Sequence, residues 1–300
     1  MARRAPAARR HGAGCGEYRA RALGHGARPA RSGSCTLIEA SPLPAPFDGV
    51  AAGYDAEFTE TALGRELRRR VWARLAANFA PGNAVLELNS GTGEDARWLA
   101  QRGVTVHATD QSQEMLEVAR RKTAGLPVTF SALDLAAPTD EFTRDTFDGA
   151  FSNFGGFNCV ADLTPIAARL ADWLRPGARL VLVVMGPVCL WEIGRNLLRL
   201  RPRAAFRRWA RGGARARIGG VGVRVYYPAP RRVIRTFAPA FRAVRLAGLG
   251  VALPPTLRAP RLDTQPLALE SLGRWEDRLA HRWPFRHLGD HYILEMERRA

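Results

Sequence analysis

A chain of 300 residues with 46% hydrophobic content has enough apolar material for one large core or two small ones. Its formal net charge of +17 would suit an anionic partner, but residues 1–45 carry +6 and residues 190–235 carry +12, leaving the rest near neutral. Because 44 of the 45 basic residues are Arg, as GC-rich coding alone would produce, a nucleic-acid partner is not expected, and no apolar run approaches the ~20 residues that span a bilayer.

In chain order, residues 1–45 read as a disordered Arg/Ala/Gly-rich tail and linker, with the Pro-rich Ser41–Phe47 leading into a folded part that begins at residue 46. No apolar stretch follows the early arginines, so a secretory signal is not expected and the protein is read as cytoplasmic. Leu63, Leu67, Val71, Leu75 and Phe79 recur at helical spacing, predicting one amphipathic helix over Phe58–Phe79. The period then changes. Asn83–Leu88 predicts a strand, Gly91–Gly93 a turn, Glu94–Arg102 a helix, Val104–Thr109 a strand and Gln113–Ala124 a helix. Val128–Ala132 and Gly149–Ser152 predict two more strands, Leu163–Leu174 a helix, and Leu180–Met185 the strongest strand of the chain. Strands separated by helices of this length require right-handed crossovers and a parallel sheet. Beyond Met185 the alternation stops. Trp191–Arg211 predicts a basic helical insertion, Gly219–Tyr227 a hairpin, Arg231–Phe241 a helix, Phe241–Gly250 a strand, Leu267–His281 a helix and His291–Arg298 a final strand.

The chemistry concentrates in Val85-Leu86-Glu87-Leu88-Asn89-Ser90-Gly91-Thr92-Gly93-Glu94-Asp95-Ala96, a strand, a glycine turn and a helix start in succession. Glycines there admit a ligand close to the backbone, and the new helix offers free N–H groups. Acids extend the pattern: Glu87 lies on the strand before the turn, Asp110 ends the second strand where it can hold a ribose diol, and Asp134 ends the third. Glu94 and Asp95, in a first helical turn, need no reason beyond the helix dipole. The cysteines Cys15, Cys35, Cys159 and Cys189 lack the spacing of a zinc site, so no metal is expected.

From Tyr54 to Met185 the chain resembles the class I S-adenosylmethionine-dependent methyltransferases of small molecules. The resemblance rests on Tyr54-Asp55, VLELNSGTGEDA, VHATDQSQEMLEVAR, the LDL of residues 133–135, FDGAFSNFGGFN and LRPGARLVLVVMG, in that order, with a closing HYILEMER. It implies an α/β fold: a Rossmann-like, seven-stranded, mostly parallel sheet with an antiparallel last strand, filling residues 46–300 and carrying a substrate-side insertion at 186–235. It also implies S-adenosylmethionine as cofactor, with Gly91 and Gly93 along its methionine end, Glu87 beneath, Asp110 on the ribose, and Asp134 with Leu135 beside the adenine. Ser152 and Asn153 would lie nearest the sulfonium, Tyr54 would cover it, and Asn89 and Gln111 complete the binding set. Asn89-Ser90 departs from the family, which has glycine and a small residue there.

Methyl transfer needs chiefly alignment, so no catalytic residue is assigned; if the acceptor is a hydroxyl, His287, His291, Tyr226 or Tyr227 could take its proton. Trp191, Phe206, Trp209, Tyr226 and Tyr227 stand among arginines in the insertion, pointing to a small-molecule acceptor that is acidic or lipid-like, or to a docking face for anionic headgroups. An NAD(P)-dependent oxidoreductase would share the first two strands but lacks a Tyr-x-x-x-Lys pair here. A non-catalytic cofactor-binding or membrane-surface protein is the alternative of another class.

Overall fold

The computed structural model describes residues 47–218, 220–255 and 262–300. The tail expected over residues 1–45 and the cysteines Cys15 and Cys35 lie outside them. The elements run α1 (Ala62–Asn78), β1 (Ala84–Leu88), α2 (Glu94–Ala100), β2 (Thr105–Asp110), α3 (Gln113–Lys122), β3 (Val128–Ala132), β4 (Phe147–Ser152), α4 (Thr164–Trp173) and β5 (Leu174–Met185). They continue as α5 (Leu190–Leu198), α6 (Pro202–Ala205), β6 (Ala214–Ile218), β7 (Val221–Val225), α7 (Pro230–Phe237), β8 (Phe241–Leu249), α8 (Pro266–Leu279) and β9 (His291–Arg298).

Seven strands form one sheet in the order β3-β2-β1-β4-β5-β9-β8. Strands β1 to β5 are parallel, and β9 lies antiparallel between β5 and β8. Both faces are covered, which is why the central strands read as apolar runs. Along β5, Leu180, Leu182 and Val184 join a core with Ile166, Leu170 and Trp173 of α4 and Phe237 of α7. Val181 and Val183 face the other way, into a core with Leu67, Val71 and Leu75 of α1 and Leu99 of α2. The antiparallel course of β9 pairs its first residue, His291, with Met185 at the end of β5. A side chain from the end of the sequence thereby stands at the carboxyl edge of the parallel strands, where open α/β sheets hold ligands.

Local chemistry moves several boundaries. The helix expected over Phe58–Phe79 splits: Asp55–Thr59 is a π-turn, and α1 starts afresh with the Thr61 hydroxyl capping Gly64 N–H at 2.9 Å. The basic insertion is not one helix. Pro202 supplies no N–H and disfavours a helical Arg201, so α5 stops and the short α6 begins after a turn at Leu200. Strand β5 starts at Leu174, six residues early, because Phe147 pairs with Leu174 across a register shift. The hairpin begins at Ala214 rather than Gly219. Among the described residues no helix is long and apolar enough to cross a membrane.

Candidate active site

The carboxyl ends of β1, β2 and β4 open onto a cavity of about 1720 Å³. Its wall includes Tyr54, Asn89, Gly91, Asp110, Gln111 and Asn153, together with Asp134 and Leu135 from the turn after β3.

Asp110 ends β2 and is fixed by two backbone amides: Gly91 N–H donates to Oδ2 at 2.9 Å and Ser112 N–H to Oδ1 at 2.9 Å. Burial pushes its carboxyl above the usual carboxylate range, against the pull of those amides. Gly91, at φ +53, has open space where a Cβ would stand. The carboxylate thus ties the glycine turn to β2 while bordering the cavity, and Ser112 caps α3 behind it through Met115 N–H at 3.1 Å. Asp134 is exposed and accepts from Ala136 N–H at 2.8 Å, beside the buried Leu135.

Two expected positions do not line the cavity. Gly93 faces α3, where a Cβ would lie 2.8 Å from the Ala119 Cβ, and its φ of +74 starts α2. Its glycine serves helix packing and chain reversal. Glu87 is buried beneath the turn, its Oε2 without a hydrogen-bond partner among the described residues; burial, with Asp95 and Asp110 nearby, pushes its carboxyl well up.

Asn89, in the left-handed region at φ +50, accepts from the Ser152 hydroxyl at 2.9 Å. Its side chain lies over Gly156, so the departure at residue 89 is accommodated by a glycine across the sheet edge. Asp95 has a larger role than the helix dipole. It is buried and bonded to Arg68 at 2.6 Å, Trp72 Nε1–H at 2.6 Å and Asn153 Nδ2–H at 2.9 Å. Arg68 in turn sits 5.4 Å from the Phe58 ring centroid and 5.2 Å from that of Phe154. The Asn153 Oδ1, buried at the cavity, has no hydrogen-bond partner among the described residues. Lys122 closes the same side, donating to Asp55 Oδ2 at 2.5 Å and to Thr92 at 3.1 Å. Burial alone would raise the Asp55 carboxyl, but the Lys122 and Thr92 hydrogen bonds hold it below its ordinary value. The segment carrying Tyr54 is thereby latched to the glycine turn, and burial pushes the Tyr54 phenol up.

Of the four residues named as proton acceptors, His291 alone lines this cavity. Its Nδ1 is 3.2 Å from Asp290 Oδ2, and its ring meets Phe154 edge to face at 5.8 Å. Asp290 accepts from Arg208, which also reaches Glu192 at 2.8 Å and the Gly186 and Asp290 carbonyls at 3.0 Å. Burial would raise Asp290, yet His291 and Arg208 outweigh it and keep the carboxyl well below the usual range. His287 sits in a separate turn, accepting from Arg286 at 3.3 Å. Sequence reasoning missed Asp95, Arg68 and the Arg208–Asp290 pair. Their only signal is tertiary, since Arg208 is one arginine in a run of them.

The remaining wall is largely apolar, with Leu190, Trp191, Leu198, Val251, Leu272 and Trp275 among its residues, and it also carries Glu192, Arg195, Arg207 and Arg208. Asn158 joins it to the sheet: its side chain bonds both backbone groups of Met185, at 3.0 and 2.9 Å, and the Tyr226 carbonyl at 2.6 Å. Burial pushes the nearby Cys159 thiol up to about 11, so it stays protonated.

Residues 85–177 match a family model described as a methyltransferase domain. The chain is similar to the demethylmenaquinone methyltransferase of Clavibacter sepedonicus, 36% identical over 137 residues that make up 45% of this chain and 55% of that protein. It is equally similar to that of Thermus thermophilus, 36% identical over 149 residues, 47% of this chain and 64% of that protein. The chain thus spans little more than half the length of these relatives. Among solved structures it resembles phosphoethanolamine N-methyltransferase 2 of Haemonchus contortus, with a TM-score of 0.54, 18% identity, and 84% and 57% of the two chains covered. A methyltransferase of Methanosarcina mazei aligns with a TM-score of 0.51, 15% identity, and 75% and 97% covered. At these identities the structural likeness concerns the fold.

Proposed function

With residues 85–177 a methyltransferase domain on a Rossmann-like sheet, we propose that the protein transfers a methyl group from S-adenosylmethionine to a large, mostly apolar small molecule. The observation that carries this reading is that one cavity is bordered both by Asp110 and Asp134 and by Trp191 and Trp275. Its volume of about 1720 Å³ exceeds the roughly 300–1,000 Å³ of a drug-sized site, leaving room for a cofactor and a bulky acceptor together.

The residues present fit an adenosyl ligand. Asp110, already oriented by two amides, is an acceptor for ribose hydroxyls; Leu135 offers an apolar wall and Asp134 an acceptor for an adenine amino group; the unpartnered Asn153 Oδ1 awaits a donor. Tyr54, Asn89, Gly91 and Gln111 complete the surround, while Glu87 and Gly93 act from behind it. When bound, S-adenosylmethionine supplies a methyl group on an already activated sulfonium. What the chain adds is alignment and exclusion of water, a contribution of about 7–11 kcal/mol in favourable cases. For a hydroxyl acceptor His291 receives the proton, with Asp290 beside Nδ1 to stabilise the charged ring. The relatives' name makes a demethylmenaquinone-type molecule the first acceptor to try.

The test is calorimetric titration of the full chain with S-adenosylmethionine and S-adenosylhomocysteine, with NADH and NADPH as controls. The expected result is micromolar binding of the adenosyl ligands only, weakened in Asp110→Ala. Tight NADH binding, or no adenosyl binding by folded protein, would overturn the reading.

A further inference from the structure

The turn joining α5 to α6 turns its apolar residues outward. Residues 197–203, Leu-Leu-Arg-Leu-Arg-Pro-Arg, are all exposed, with Leu198 at 88% and Leu200 at 90%. Next to them the Phe206 and Trp209 rings meet at a tilt, their centroids 4.8 Å apart, and Trp209 is 58% exposed. Single exposed leucines are ordinary, but three leucines and two aromatics in thirteen residues form a patch that folding leaves uncovered.

The charge around the patch has one sign. Between Glu192 and Asp263 the sequence contains seventeen Arg and no Asp or Glu. Glu192, the one acid at the base of α5, is engaged by Arg207 and Arg208. Among the described residues no carboxylate lies against Arg199, Arg201 or Arg203. Alternating exposed leucines and arginines with a Trp at the boundary match an interface of acyl chains beneath anionic headgroups. Leu198 and Ala204 also line the large cavity, so the patch adjoins its entrance.

We propose that the α5–α6 turn docks the protein on an anionic lipid surface, with Leu198 and Leu200 among the acyl chains and Arg199, Arg201 and Arg203 at the phosphates. A lipophilic acceptor then passes between bilayer and cavity beside Leu198 without crossing water. Docking stands on the patch alone; the passage of an acceptor rests on the methyl-transfer reading.

The experiment is flotation of the full chain with vesicles of phosphatidylcholine, and of phosphatidylcholine mixed with phosphatidylglycerol, at low and high salt. Wild type is expected on the mixed vesicles and not on the neutral ones, with binding reduced by salt. Leu198→Ser/Leu200→Ser should weaken binding about tenfold or more, the scale of losing one buried leucine side chain. Arg199→Gln/Arg201→Gln/Arg203→Gln should do the same. Circular dichroism and thermal melts of the same preparations should match wild type, which shows that the variants fold. Binding that survives the leucine exchange would move the contact to other arginines and overturn the proposal, as would indifference of the wild type to anionic lipid. A dimer in sedimentation that the leucine exchange returns to monomer would also overturn it, making the patch a contact between copies. Vesicle binding without adenosyl binding by wild type would sustain docking while the methyl-transfer reading fell.

Discussion

Asn89 occupies the space that any side chain at residue 156 would need: a Cβ there would fall 1.6 Å from Asn89 Nδ2. Asn89 directly follows β1 and Gly156 opens the short helical turn after β4, so their fit fixes the sheet edge facing the cavity. Gly156→Ala is expected to destabilise the fold by about 1–3 kcal/mol through overpacking. Asn89→Gly should remove most of that cost, since glycine accepts φ +50 and vacates the contact. Denaturant unfolding of both single variants and the double checks this; additive effects would show that the contact is not shared.

Asp95 holds the buried Arg68 in place, so removing it strands a guanidinium that is 5% exposed. Asp95→Ala should cost about 3–5 kcal/mol, the scale for breaking a buried pair from one side. Glu270→Ala, which breaks the exposed helical pair with Arg274, should cost about 0.3–0.5 kcal/mol. Urea melts of the two variants side by side make the comparison, and similar losses would remove Asp95 from its central place.

Glu87 gives a pH signature. Its folded carboxyl is raised above the unfolded value, so its contribution to folding is full below the unfolded value and is lost progressively where the unfolded chain ionises and the folded one does not. Wild type should therefore lose stability as pH rises from the ordinary Glu value toward the folded one, by at most about 1.4 kcal/mol per pH unit. Glu87→Gln lacks this slope, and its stability relative to wild type should grow with pH over that window. Thermal melts that run parallel across the window would show that Glu87 is not held neutral.

His291→Asn should lower kcat by about 10²–10⁴ on a hydroxyl acceptor while leaving adenosyl binding unchanged. Tyr226→Phe and Tyr227→Phe, whose side chains are absent from the cavity wall, should retain activity. A kcat unchanged in His291→Asn would assign the proton elsewhere.

Much of the sheet was legible because strand periodicity and strand ends are local signals. Val128–Ala132 and His291–Arg298 have in the structure the limits that the pattern predicts. Asp110, Asp134 and Asn153 stand at or just beyond strand ends, where the reading looked for ligand contacts, and all three border the cavity. The pattern says least where a neighbour distant in sequence decides. Gly93 looks like a ligand glycine until Ala119 is placed against it. Asp95 looks like a dipole residue until Arg68, Trp72 and Asn153 converge on it. The apolar lining of the cavity was legible only in part for the same reason: Trp191 stands in the expected substrate-side insertion, whereas Trp275 comes from a helix far away in the chain.

Lys122 is the single lysine among the 300 residues, and it is spent on the latch between Asp55 and Thr92. Amine-selective chemistry therefore has one side chain to address, and that ammonium is partly shielded, at 16% exposure. Acylation there would replace the charge that holds Asp55, so the labelling rate measures how often the Tyr54 segment lifts from the glycine turn. A ligand lodged beneath that segment would slow the labelling, giving a mass-spectrometric occupancy assay that needs no knowledge of the methyl acceptor.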